Sequence, residues 1–302
     1  MLKSLFRPGL IFIAFAAGAL LPGAACLAWM IRYLLMIMLF LVFLRVKVKS
    51  LKPVKTHWRI LAANILLGIG FYFLLLPSGS DILAHAAFFT AIAPTASATP
   101  VIVGFLGGNT EFTVTAFLTT NVGTPLALTG LIPVVTGDLS FDFLLRVAGS
   151  LLFVIGIPPA AAALVRIFLP KAAKLAEKSA GLSFALWLVM LFTTAATASQ
   201  SIRSTPDLSP LIVLEIAGIS AVICAVNFVL GYLISEKQFR HEASQSLGQK
   251  NTMLLLYLAL TFAGPLPALG PTFYVLWHNL WNAAQLYLHD RRKQLRPQAR
   301  SS

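Results

Sequence analysis

Lys250 is the residue that most demands a chemical role. It stands in Ala243-Ser244-Gln245-Ser246-Leu247-Gly248-Gln249-Lys250-Asn251-Thr252, a polar run between apolar flanks. If those flanks cross a bilayer, an amine near mid-membrane is costly to bury and marks an ion or substrate path. The other reading is a snorkelling side chain that reaches the cytoplasmic interface from ~12 Å inside, at ~1.5 Å of rise per helical residue. A second interrupted run, Ala93-Pro94-Thr95-Ala96-Ser97-Ala98-Thr99-Pro100, places two prolines inside an apolar block. Each proline lacks an amide donor and disrupts the preceding turn. Taken singly, either is a simple kink.

The other reactive side chains do not assemble into an enzyme. His57, His85, His241, His278 and His289 are scattered singly, with neither a His-Glu-x-x-His pair nor a Gly-x-Ser-x-Gly turn. His278 is open to two readings, a substrate contact or a core histidine. Asp81, Asp138, Asp142 and Asp207 fall at the ends of apolar blocks, which disfavours a cation/proton antiporter built on buried aspartates. Glu215 lies within a block, and an ion pair with Arg32 or Arg146, which also intrude into blocks, is the structural reading. Cys26 and Cys224 sit in apolar stretches and read as packing residues. No catalytic residue, metal or cofactor is expected.

The elements that must position Lys250 follow from composition. Of the 302 residues, 58% are hydrophobic and 11% charged, and the mean hydropathy is +0.84. Soluble domains carry about twice that share of charge. The net charge of +13 does not point to nucleic acid, because the lysines and arginines sit in short segments between apolar blocks rather than on one surface. The start, Met-Leu-Lys-Ser-Leu-Phe-Arg-Pro, resembles a signal peptide, but no polar domain follows, so it reads as the first crossing.

Cutting at charged or Pro/Gly-rich breaks gives ten expected spans: 9–23, 26–44, 58–76, 81–107 (interrupted), 111–135, 142–168, 181–200, 209–235, 242–264 (interrupted) and 269–289. With the N-terminus inside, alternate loops collect Lys3 and Arg7; Arg45 to Arg59; Arg166 to Lys178; Lys237 and Arg240; and Arg291 to Arg300. Those segments hold nineteen of the 23 basic residues, while the opposite loops hold Arg203. The positive-inside rule then places both termini in the cytoplasm of an inner-membrane protein. Ten spans divide into inverted halves, 1–135 and 136–290, followed by a basic tail, 291–302. The irregular span is the fourth of each half, and interrupted helices at matching positions of two inverted repeats point to a transporter's binding site.

Three segments, the Ala93 to Val101 crossing with Gly107-Gly108-Asn109, the Ser244 to Asn251 crossing, and Trp277-His278-Asn279, resemble the bile acid:sodium symporter family and its bacterial homologues. The resemblance covers nearly the whole chain. It implies an all-α membrane protein in which spans 1, 2, 6 and 7 form a panel domain and the others a core domain, with two discontinuous helices crossing in the core. It also implies a substrate region at Ser97, Thr99, Lys250, Asn251, His278 and Asn279. The implied ion-site region comprises Thr99, Thr115, Thr119, Ser246, Gln249 and Lys250.

This sequence departs from the family pattern at that ion site. Sodium-coupled members end the first break in Ser-Asn where Thr99-Pro100 stands here. Their Glu-x-Gly-x-Gln-Asn is replaced by Ser246-Leu247-Gly248-Gln249-Lys250-Asn251. Thr115 and Thr119 keep the spacing of four on one helix face, although they, Ser97 and Thr99 could equally bond to their own helices. Asn251 and Asn279 could bind substrate or merely bridge helices. Losing a carboxylate and gaining an amine disfavours sodium, since two unit charges ~4 Å apart repel by ~4 kcal/mol at an effective dielectric of ~20.

The expectation is a carrier of a small organic anion, a carboxylate, sodium-independent or proton-coupled, in which Lys250 replaces the coupling ion. Bile-acid-like, keto-acid and pantoate-like substrates all remain open. The rival readings are a sodium-coupled symporter with a residual site, an intramembrane enzyme and a non-transporting receptor.

Overall fold

A computed structural model describes the backbone of residues 2–45, 52–171, 180–204 and 209–295. Lys47, Lys49, Lys174, Lys178, Asp207, Arg296 and Arg300 lie outside the described residues, as do the side chains of Lys3, Arg7, Arg45, Arg292 and Lys293. The α-helices of the described chain are α1 Leu2–Leu20, α2 Met30–Arg45, α3 Lys55–Leu75, α4 Asp81–Ala91, α5 Thr99–Phe105, α6 Thr110–Thr136, α7 Phe141–Leu151, α8 Ile157–Phe168, α9 Ala180–Ser204, α10 Pro210–Ile234, α11 Arg240–Gly248, α12 Thr252–Phe262 and α13 Leu269–Leu295. A π turn, Leu152–Gly156, joins α7 to α8, so that Phe141–Phe168 runs as one rod. Both segments expected to be interrupted are divided, the first into α4 and α5 and the second into α11 and α12.

Among the described residues, five helical stretches are long and apolar enough to cross a bilayer: Lys55–Ser78, Thr110–Thr136, Phe141–Phe168, Leu182–Ser204 and Leu211–Ile234. Three shorter apolar helices, Met30–Leu44, Asp81–Ala91 and Thr252–Phe262, accompany them. Side chains such as Leu66, Leu126, Leu152 and Leu214 stay exposed on these rods, as lipid-facing positions require. The protein is thus an all-α, membrane-embedded one.

Local chemistry sets the ends of the elements that matter for the site. Ser80 Oγ accepts from the amide of Leu83 at the start of α4, and Asn109 Oδ1 accepts from Phe112 N (3.0 Å) at the start of α6. α6 stops at Gly137, whose φ of +77° suits glycine. Pro100 falls in the first turn of α5, where its missing N–H has no helical partner to lose. It therefore starts a half-helix rather than kinking a continuous one. His57 fastens α3 to α6: its Nδ1 accepts from Val54 N (2.9 Å) and its Nε2 lies 3.0 Å from the carbonyl of Phe112.

The helices pack in two sets. α1 lies along α9, and α2 packs on α8 and α9; α3 packs on α4 and α6, and α10 on α4, α11 and α13. The largest buried cluster joins the sets, bringing Leu34 and Leu35 of α2 together with Phe88 of α4 and with Leu254 and Leu255 of α12. Glycine permits the closest approach to the first break: a Cβ on Gly68 of α3 would stand 2.6 Å from Ile92 Cβ. At Gly231 of α10 a Cβ would stand 2.6 Å from the carbonyl oxygen of Ala243 and 2.9 Å from Ser244 Cα, both backbone atoms of α11.

Glu215 is exposed on α10, and neither expected partner meets it. Arg146 Nη2 lies 3.9 Å from Asp138 Oδ2, and the Arg32 guanidinium stacks 4.2 Å over the Phe153 ring. The anticipated ion pair is therefore replaced by exposure near the helix end. Gly231→Ala is expected to lower stability by about 1–3 kcal/mol, because backbone cannot step aside as a side chain can. Gly218→Ala on the same helix, where a Cβ meets nothing within 4 Å, is expected to be neutral or to stabilise by up to about 1 kcal/mol. Equilibrium unfolding in mixed micelles measures both.

Candidate functional site

The two breaks meet. Thr95 and Lys250 form an isolated antiparallel bridge, flanked by hydrogen bonds from Ala96 N to Gln249 O (2.8 Å) and from Asn251 N to Pro94 O (2.6 Å). Four helix ends converge on this bridge: the C-termini of α4 and α11, and the N-termini of α5 and α12.

Side chains from neighbouring helices satisfy the backbone groups that the breaks release. Asn64 Nδ2 of α3 donates to Ile92 O (2.8 Å), and Tyr274 OH of α13 donates to Gly248 O (2.7 Å). From α6, Thr120 Oγ1 accepts from Thr95 N (3.0 Å) and Asn121 Nδ2 donates to Thr95 O (2.8 Å). Thr95 itself donates through Oγ1 to Ser246 O (2.7 Å), which ties the first break to the last turn of α11. Each of these bonds removes a penalty of roughly 1–3 kcal/mol for a buried unpaired polar group.

Lys250 points inward. It is 1% exposed, and its Nζ donates to Asn64 Oδ1, so it does not snorkel. Asn64 is thereby used at both ends, since its Nδ2 reaches Thr124 Oγ1 (3.1 Å) as well as Ile92 O. Among the described residues no carboxylate pairs with Lys250. Its directed compensation is the Asn64 amide oxygen, beside the end of α4, whose Ile92 carbonyl Asn64 also holds.

The other predicted site residues divide. Gln249 donates to Gln245 Oε1, and Gln245 donates in turn to Gln285 Oε1 of α13, extending a buried amide chain from the break. Asn251 is half-buried and donates to Asn121 Oδ1 (3.3 Å). Thr99 and Ser246 are buried, and neither hydroxyl has a hydrogen-bond partner among the described residues. Ser97 is exposed at the first break. His278 is buried edge-on against the Tyr274 ring with Nδ1 unpartnered.

Three residues of the expected set turn back on their own helices. Thr115 Oγ1 donates to Glu111 O (2.9 Å), Thr119 Oγ1 to Thr115 O (2.9 Å), and Asn279 Nδ2 to Val275 O (2.7 Å). A hydroxyl so engaged keeps lone pairs but loses the freedom to turn toward an ion.

Sequence reasoning did not single out Asn64, Thr120, Asn121 or Tyr274. Asn64 had a signal, a lone amide within Leu61-Ala62-Ala63-Asn64-Ile65-Leu66, where hydrocarbon surroundings demand a partner. Thr120-Asn121 had less, being one polar pair among several on α6.

No protein-family model matches the chain, and no curated protein matches it either. The site's chemistry therefore rests on its own residues. Asn64→Leu is expected to cost about 1.5–3 kcal/mol by stranding the Lys250 amine. Adding Lys250→Met should return most of that loss, a coupling that a double-mutant cycle by equilibrium unfolding would read out. Strictly additive losses would mean that the two side chains do not meet.

Proposed function

We propose that the protein is a secondary transporter of a small organic anion, a carboxylate, and a divergent member of the bile acid:sodium symporter family. In this reading ten spans form a 5+5 inverted repeat, the halves being 1–135 and 136–290. The set containing α1, α2, α7, α8 and α9 acts as the panel and the remainder as the core. The protein sits in the inner membrane with both termini cytoplasmic.

The observation that carries the proposal is the buried Lys250 amine where two broken helices pair, held by Asn64 and, among the described residues, paired with no carboxylate. A cation suits that point because two helix C-termini end there. Lys250 supplies the cation covalently, so the site needs no sodium, and an amine that trades its proton during the cycle couples transport to protons. On the other side of the bridge the N-terminus of α12 presents positive partial charge, which favours an anion. Exposed Ser97, half-buried Asn251 and the unpartnered hydroxyls of Thr99 and Ser246 offer it hydrogen bonds. Thr115 and Thr119, committed to their own helix, weaken the sodium-coupled alternative.

The test is uptake of radiolabelled carboxylates, a bile acid, a 2-oxo acid and pantoate, into proteoliposomes under separate sodium and pH gradients. Accumulation that ignores sodium is expected. Lys250→Met should lower it tenfold or more, the equivalent of about 1.5–3 kcal/mol of charge-assisted bonding. Sodium-dependent accumulation that survives Lys250→Met would overturn the mechanism, and binding without accumulation would favour a receptor. Orientation has its own check: a fluorescent protein fused after Ser302 should glow, and alkaline phosphatase inserted after Gly137 should be active.

A further inference from the structure

Away from the bridge, a cavity of about 500 Å³ opens between α2, α7, the π turn and α12. It is in the size range of small-molecule sites. Its lining includes Arg32, Arg146, Ser150, Phe153, Tyr257 and Phe143. Two arginines in such a place are unexpected. In the proposed orientation both lie toward the face opposite the basic loops, where the positive-inside rule disfavours them.

The two guanidinium groups are not equally free. Arg146 is held loosely by Asp138, 3.9 Å away on the exposed rim. Asp138 is itself occupied: Ser140 donates to its Oδ1 from the hydroxyl (2.6 Å) and the amide (3.1 Å), which holds its carboxyl below the usual carboxylate range. The Arg32 guanidinium stands over the Phe153 ring, 4.2 Å from its centroid, and its buried Nε has no hydrogen-bond partner among the described residues. With Nε buried, the guanidinium meets the cavity through its other nitrogens, and arginine's planar fork matches a carboxylate. Across the cavity, Ser150 Oγ and Tyr257 OH lie 2.9 Å apart and offer further hydroxyl chemistry. Phe153 belongs to the π turn, a distortion that tends to occur at functional sites because it re-aims side chains.

We propose that this cavity is a second anion site, which takes a small carboxylate with a flat apolar body, the carboxylate on Arg32 and the body against the phenylalanine rings. α12 links it to the bridge, since Tyr257 is seven residues, ~10 Å of helix, beyond Lys250. The site thus serves as the vestibule from which an anion reaches the break. That role rests on the transport reading, whereas binding rests on the cavity alone.

Benzoate is a suitable probe, with benzyl alcohol as its uncharged counterpart, and equilibrium binding to the full-length protein in nanodiscs is the measurement. Benzoate should bind and benzyl alcohol should not. Arg32→Gln should weaken benzoate tenfold or more, as loss of a charge-assisted pair does. Should Arg32→Gln fold poorly, Gly149→Leu provides an independent variant. Gly149 lines the cavity and a Cβ there meets nothing within 4 Å, so a leucine fills the space without displacing backbone. Arg203→Gln, which removes a charge elsewhere, should bind benzoate as the unsubstituted protein does.

Benzoate that does not bind, or that binds equally well to Arg32→Gln and Gly149→Leu, would overturn the proposal. Benzoate bound through Arg32 in a protein that never accumulates anions would leave this site standing and sink the transport reading. Anion accumulation indifferent to both cavity variants would keep the transport reading and sink the vestibule role.

Discussion

A backbone amide or carbonyl buried in hydrocarbon must find a partner, and the architecture around Lys250 follows from that requirement. Breaking one helix at mid-membrane strands several such groups. Breaking two and laying the breaks side by side lets them satisfy each other, as Ala96 with Gln249 and Asn251 with Pro94 do. The bridge leaves a remainder, which Asn64, Thr120, Asn121 and Tyr274 take up. These four side chains come from α3, α6 and α13, so a two-residue pairing fixes the relative positions of three further helices. Among the buried polar residues, Asn64, Thr95, Thr120 and Asn121 are explained by service to the broken backbone.

Lys250 sits buried where a polar side chain meets it. The C-terminal carbonyls of α4 and α11 create negative potential there, and Asn64 supplies a directed acceptor. In the proposed mechanism this is the environment a bound cation would want, supplied to a tethered one. In the same proposal the N-terminus of α12, just after Lys250, supplies the partial charge that favours an anion. The arginine-lined cavity lies two turns along α12 from the bridge, and a shared helix gives the two places a mechanical connection as well as a spatial one.

The breaks were legible in the sequence because they violate local rules: prolines in an apolar block, and seven polar or glycine residues where a span should be apolar. The boundaries followed, with 81–107 resolving into Asp81–Ala91 and Thr99–Phe105, and 242–264 into Arg240–Gly248 and Thr252–Phe262. The partners of the breaks were less legible. Asn64 and Thr120 act through contacts 28 and 25 residues away along the chain, which no periodicity encodes. Thr115 and Thr119 show the converse, since the right spacing on one face says nothing about whether a hydroxyl turns outward or back to its own helix. Glu215 misled because an acid in an apolar block looks buried, whereas five residues from a helix start it remains exposed.

The pairing of the two breaks can be measured by cross-linking. Thr95 and Lys250 face each other as a bridge pair without mutual hydrogen bonds, the geometry with Cα atoms ~4.5 Å apart that a disulfide can span. Thr95→Cys with Lys250→Cys, in a chain carrying Cys26→Ser and Cys224→Ser, should form an intramolecular disulfide on oxidation in membranes, seen by mass spectrometry of the linked peptides. Two thiols that both stay free, while a Thr95→Cys pair with a residue elsewhere on α12 cross-links, would contradict the meeting of the broken helices on which the account depends.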